Sequence, residues 1–97
     1  MDQILDKKPE LEELAKQFGL VFVGLYGSRA RGDYQSDSDV DLLVEYKQPI
    51  SLFEHVRLER LLSNLFDAKV EATTKKALNK HLKPYIEKDV QVIYEAN

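Results

Sequence analysis

A glycine-bounded turn, Gly27-Ser28-Arg29-Ala30-Arg31-Gly32-Asp33, is followed one short loop later by Ser38-Asp39-Val40-Asp41-Leu42-Leu43-Val44. Glycine lets a backbone approach a ligand closely, and the N–H groups that open a short helix attract anions. Ser28 adds a hydroxyl that can donate to a phosphate oxygen. Arg29 and Arg31 stand two apart on that short helix and cannot share one face. One of them meets phosphate while the other packs or pairs elsewhere; Arg31 joins Gly27 and Ser28 as a nucleotide-binding candidate. Asp39 and Asp41 are two apart on a strand, so they project together while Val40 turns to the opposite face. Carboxylates this close repel unless a cation sits between them. Oxygen-only ligands favour a hard ion, Mg²⁺ or Mn²⁺. Two such ions about 3.5–4 Å apart can activate an attacking hydroxyl and stabilise a departing oxygen. A phosphate-holding turn beside a metal-holding pair suggests chemistry on a nucleoside triphosphate.

That arrangement needs a third carboxylate on the side of the nucleophile. Glu71 is the candidate, an acid in an otherwise apolar and threonine-flanked stretch that could pair beside the strand of Asp41. The pattern leaves open the alternative that it is an ordinary exposed strand position. Three competing motifs fail. Gly27 to Gly32 has the first spacing of a Walker A loop, but Asp33-Tyr34 stands where lysine and a hydroxyl residue are required. Asp37, Asp39 and Asp41 open like an EF-hand, but Leu42 replaces the glycine and Gln48 the closing glutamate. Arg31-Gly32-Asp33 as an adhesion tripeptide is a string short enough to recur by chance.

Several elements must position these groups. Pro9 to Gly19 reads as a helix, with proline in the first turn, acids after it and glycine at the far end. Its buried stripe is Leu11, Leu14, Ala15 and Phe18. Leu20 to Tyr26 and Val40 to Tyr46 are rich in β-branched and aromatic residues and fit strands. Ser51-Leu52-Phe53-Glu54 is a capping box in which Ser51 caps and Glu54 reaches back. The helix it opens runs to about Phe66. Its apolar positions, Leu52, Phe53, Val56, Leu58, Leu61, Leu62, Leu65 and Phe66, make a broad stripe expected to pack on a sheet. An exposed flank at Phe53, Val56 or Leu58 could serve docking, although core packing is the expectation for each. Lys69 to Thr73 is a short third strand. Thr74 can cap a helical region through Leu82, Pro84 can open a further turn, and Val90, Val92 and Tyr94 alternate as in a last short strand. The fold class is α/β (α+β), a small sheet packed against helices. His55 and His81 each stand alone, without a second His or Cys at ligand spacing, and read as surface or edge residues. Lys75, Lys76, Lys80 and Lys83 read as a solvated helix face.

The chain has 97 residues, a net charge of −3 and no cysteine. That length allows one modest core. The charge argues against a dedicated duplex-DNA binder, so nucleic acid is not the expected partner. The missing cysteine excludes disulfides and thiolate metal sites. No leader-like apolar segment and no run of the ~18 residues needed to span a bilayer is visible, so the expected location is the cytoplasm, away from membranes.

Gly27-Ser28, ten residues, and Asp39-Val40-Asp41 resemble the G-S-x10-D-x-D signature of nucleotidyltransferases of the DNA polymerase β superfamily. The wider string is similar to the minimal nucleotidyltransferase branch, the MntA-like antitoxins. The resemblance covers nearly the whole chain, with residues 1–97 as a single minimal nucleotidyltransferase domain. It implies a mixed sheet packed on helices, Ser28 on the nucleotide phosphates, and Asp39 and Asp41 on Mg²⁺. The third carboxylate of the family is commonly an aspartate on a later strand; here Glu71 occupies that place, one methylene longer. The resemblance also implies ATP as substrate and a HEPN-domain toxin as partner, with AMP transferred to a tyrosine of that toxin. A chain this short leaves little surface for an acceptor pocket, so the acceptor is expected to arrive on another protein. Two rival readings are an antitoxin that neutralises its partner by binding alone and a nucleotidyltransferase acting on a small-molecule hydroxyl.

Overall fold

The computed structural model describes residues 6–32 and 39–96. Helix α1 (Lys8–Phe18) carries Pro9 in its first turn and closes on Gly19, which takes the left-handed φ of +70°. Strand β1 (Leu20–Tyr26) leads into α2 (Ser28–Arg31), a single turn. Strand β2 (Val40–Tyr46), helix α3 (Leu52–Phe66) and strand β3 (Val70–Thr74) follow, then α4 (Lys83–Asp89) and β4 (Gln91–Glu95). Asp33, Asp37 and Ser38 of the sequence motif lie outside the described residues.

The four strands form one mixed sheet in the order β3-β2-β1-β4. β1 runs antiparallel to both β2 and β4, whereas β2 and β3 are parallel. A parallel pair needs a long crossover connection, and α3 is that crossover. Leu11, Ala15 and Phe18 of α1 and Leu58, Leu62 and Phe66 of α3 pack onto one sheet face, built from Val23, Leu25, Val40, Leu42, Val44, Val70, Ala72 and Ile93. Strand alternation then turns Asp41, Leu43, Glu71 and Thr73 to the opposite face. On that second face Lys75 Nζ lies 3.8 Å from the centroid of the Phe22 ring and 3.7 Å from Glu45 Oε1.

Three expectations are corrected. The broad stripe of α3 is only partly buried: Leu58 is wholly buried, but Leu52, Phe53 and Val56 are 75%, 89% and 43% exposed. The helical period explains the split, because a face centred on Leu58, Leu62 and Phe66 turns Phe53 and Val56 away. Ser51 accepts the Glu54 N–H at 3.2 Å, as a cap should, but the Glu54 carboxylate turns to Arg57 at 3.2 Å instead of reaching back. Thr74 ends β3, and residues 75–82 form turns and no helix. Thr74 Oγ1 accepts the N–H of Ala77 at 3.1 Å and Asn79 Oδ1 that of His81 at 2.8 Å. Such local bonds compete with helix formation. The helix starts where Pro84 supplies a suitable first turn. The lysines at 75, 76 and 80 therefore sit on turns, not on a helix face. Among the described residues no helix is long and apolar enough to cross a membrane.

Candidate active site

Gly27 is the pivot of the site. Its φ of +78° and ψ of −154° fall in a region open essentially to glycine alone. A side chain is also excluded by space: a Cβ built there would lie 2.7 Å from Asp41 Oδ2. The turn after it is closed by backbone bonds from Arg31 N to Gly27 O (3.1 Å) and from Gly32 N to Ser28 O (2.9 Å). The turn that carries Ser28 thus abuts the carboxylate of Asp41.

Asp41 sits half-buried on β2, opposite Tyr26 on one side and Glu71 on the other. Asp39 precedes the strand and is exposed. Burial raises the pKa of Asp41 above the ordinary carboxylate value, and the negative charges of Glu71 and Asp39 raise it further; the Arg31 guanidinium opposes them. Three acids and one arginine therefore share one electrostatic neighbourhood. The donors are all oxygens and the acids repel one another, which suits a hard divalent cation. They do not form a finished cage: among the described residues no three acidic or histidine side chains already converge on a metal position. Glu71 is 54% exposed, and its Oε1 lies 3.6 Å from Lys69 Nζ.

Arg31 reaches from α2 to α4, with its Nη1 3.6 Å from Asp89 Oδ2. Arg29 is half-buried on the same turn, whereas Arg31 is exposed. Sequence reasoning missed Tyr26 and Thr73, whose hydroxyls approach to 3.5 Å beside Asp41. The signal was present, since Tyr26 lies directly before the glycine turn and alternates with Phe22 and Gly24. It also undervalued His55, which is no free surface residue. Its ring bonds Tyr46 Oη at 2.8 Å through Nδ1 and the Ala72 carbonyl at 2.7 Å through Nε2. A cavity of about 590 Å³ opens beside it, lined by Tyr46, Pro49, Ile50, Leu52 and Lys76. That cavity lies at the far end of β2 from Asp41 and is lined by none of Asp39, Asp41 and Glu71.

The raised pKa of Asp41 has a measurable consequence for the ligand-free protein. The native state binds this proton more tightly than the unfolded chain, so the stability it confers is present at low pH. It is lost as pH rises from the ordinary aspartate value through the raised one. Asp41→Asn removes that loss. In thermal melts with chelator, the variant is expected to gain on the wild type across this window and to keep a constant lead above it. A lead that does not change with pH would contradict the assignment.

The profile of the nucleotidyltransferase domain family matches residues 8–93. The protein adenylyltransferase MntA of Thermococcus cleftensis is 37% identical over 67 residues, which span 69% of this chain and 68% of that one. A solved structure described as a candidate minimal nucleotidyltransferase superposes with a TM-score of 0.80 at 29% identity, covering 94% of this chain and 95% of that one. A chain from the complex of a tri-AMPylated Shewanella oneidensis HEPN toxin with an MNT antitoxin superposes with a TM-score of 0.72, covering 99% of this chain and 74% of that one. At 15% identity this last likeness is one of fold alone.

Proposed function

The chain belongs to the nucleotidyltransferase domain family, and from that premise we propose that it is an adenylyltransferase antitoxin: it moves AMP from ATP to a hydroxyl, a tyrosine, of a partner HEPN-domain toxin. The observation that carries this reading is the register of Asp41 against Glu71 across the parallel strands, with the Gly27 turn in contact with the same Asp41 carboxylate. It is supported by the relative named as a protein adenylyltransferase and by the fold shared with the antitoxin of an AMPylated HEPN toxin.

In this reading the amides after Gly27 and the Ser28 hydroxyl hold the phosphate tail, and Arg31 adds positive charge beside it. Asp39, Asp41 and Glu71 would hold Mg²⁺, most simply as two ions, with Mn²⁺ as substitute. The chemistry supplied by the bound metal is neutralisation of phosphate charge and acidification of the acceptor hydroxyl. Glu71, more than half exposed on β3, takes the proton from the acceptor in this reading. The acceptor oxygen bonds to the α-phosphorus as the bond to pyrophosphate breaks. Placement and charge neutralisation supply most of the rate gain. A reaction that consumes ATP belongs in the cytoplasm.

The test is an intact-mass measurement of the partner toxin after incubation with this protein, ATP and Mg²⁺. The expected result is a mass gain of one or more AMP units on tyrosine, absent when chelator is added. An unmodified partner under all metal conditions refutes the transfer. Two observations favour a second reading, neutralisation by binding alone: the Glu71 carboxylate lies beside Lys69, and Leu52 and Phe53 present a largely exposed apolar surface. Full neutralisation of the toxin without any mass gain is the result that selects it.

A further inference from the structure

β3 is held by bonds on both of its edges. Val40 N donates to Lys69 O at 2.8 Å and Lys75 N to Val44 O at 3.0 Å. Residues 69, 71, 73 and 75 therefore turn their backbone toward β2, as parallel pairing requires. Val70 and Ala72 then point their N–H and C=O groups to the open edge, where a strand ordinarily presents unpaired backbone. Here α3 covers that edge with side chains. Ser63 Oγ accepts from Val70 N at 2.9 Å, Glu59 Oε2 accepts from Ala72 N at 2.7 Å, and His55 Nε2 donates to Ala72 O at 2.7 Å.

The spacing has a geometric cause. His55, Glu59 and Ser63 are four apart, a rise of about 6 Å per step along a helix. Two residues of strand rise about 6.6 Å. Successive turns of α3 thus meet successive outward groups of β3. Further bonds fix the row itself. Ser63 Oγ–H donates to Glu59 O at 2.7 Å. Burial and the nearby Glu59 charge push the Tyr46 hydroxyl up to about 12, so it keeps its proton and donates to His55 Nδ1. The His55 proton then resides on Nε2, where the Ala72 carbonyl needs it.

Glu71 lies between the two clamped residues, and among the described residues its side-chain ion pair is with the exposed Lys69. We propose that the His55–Glu59–Ser63 row of α3 is a positioning device for Glu71: by gripping Val70 and Ala72 from the outer edge, it holds the intervening carboxylate in register with Asp41. This inference rests on the transfer reading above. None of the three side chains touches the reacting groups. They act through the backbone of β3, while nucleotide contacts at Gly27 and Ser28 sit on separate elements.

The test compares Glu59→Leu, which removes the acceptor for Ala72 N–H, with Glu59→Gln, which keeps an oxygen there. Initial rates of AMP transfer to the partner toxin are measured against ATP concentration, and backbone amide exchange of β3 is followed in parallel. Glu59→Leu is expected to lower kcat about tenfold, the scale of lost outer-shell support, with KM for ATP unchanged and faster exchange confined to β3. Glu59→Gln is expected to restore most of kcat. If Glu59→Leu does not fold, Ser63→Ala serves instead, with a smaller drop in kcat and the same unchanged KM. An unaltered kcat, a joint change in kcat and KM, or no rescue by Gln overturns the positioning role and leaves the transfer reading standing. A wild type that transfers no AMP overturns both.

Discussion

Replacing Asp39 and Asp41 together with asparagine is expected to lower Mg²⁺-dependent AMP transfer by about 10³-fold or more, the scale of losing charge-stabilising groups at a phosphoryl centre. The fold is expected to survive. Asparagine keeps nearly the same shape, and neither residue belongs to the apolar cluster that holds the sheet to α1 and α3. Removing charge from a half-buried carboxylate that two other acids already oppose relieves strain in the ligand-free protein. Mg²⁺ is accordingly expected to raise the Tm of the wild type and leave that of the double variant unmoved. Transfer assays with labelled ATP and metal-dependent melts check the two halves separately. Equal labelling by the double variant defeats the assignment of these acids.

Gly27→Ala is expected to cost about 1–3 kcal/mol of stability, because its backbone conformation is one that residues with a Cβ avoid. For a domain of this size each kcal/mol lowers Tm by roughly 4–8 °C. The added methyl would also collide with Asp41 Oδ2, so the Asp41 carboxylate must move and transfer is expected to fall with stability. Gly32→Ala separates the two effects. Gly32 also has a positive φ, +83°, but nothing lies within 4 Å of a Cβ built there. It is expected to lose stability by about 1–2 kcal/mol and to keep transfer. Melting curves and initial rates of both variants decide; equal loss of activity in both would mean that backbone strain, not the collision, governs the site.

Much of the candidate site was legible from the sequence because it is local. The Gly27 turn, Asp41 on β2 with Asp39 just before it, and the acid on β3 are readable from spacing and strand period, and the structure aligns Asp41 and Glu71 across neighbouring strands. What escaped is non-local. The row on α3 looked like one lone surface or edge histidine, one acid and one serine. Only the crossover onto the outer edge of β3 gives the three a common task. Hydropathy assigned Leu52, Phe53 and Val56 to the core together with Leu58, since a broad stripe does not say which part of it meets the sheet. At residues 74–82, threonine and asparagine offered the backbone short-range bonds that a helical reading does not weigh.

The crossover that brings Asp41 to Glu71 also sets when the protein becomes competent. The two acids are thirty positions apart and meet only through parallel pairing, a long-range closure that comes late relative to local helix and turn formation. In the proposed reading, a growing chain that has already made the glycine turn and both aspartates still lacks Glu71, the residue assigned there as proton acceptor. On that reading, chemical competence arrives with the pairing of β3 on β2.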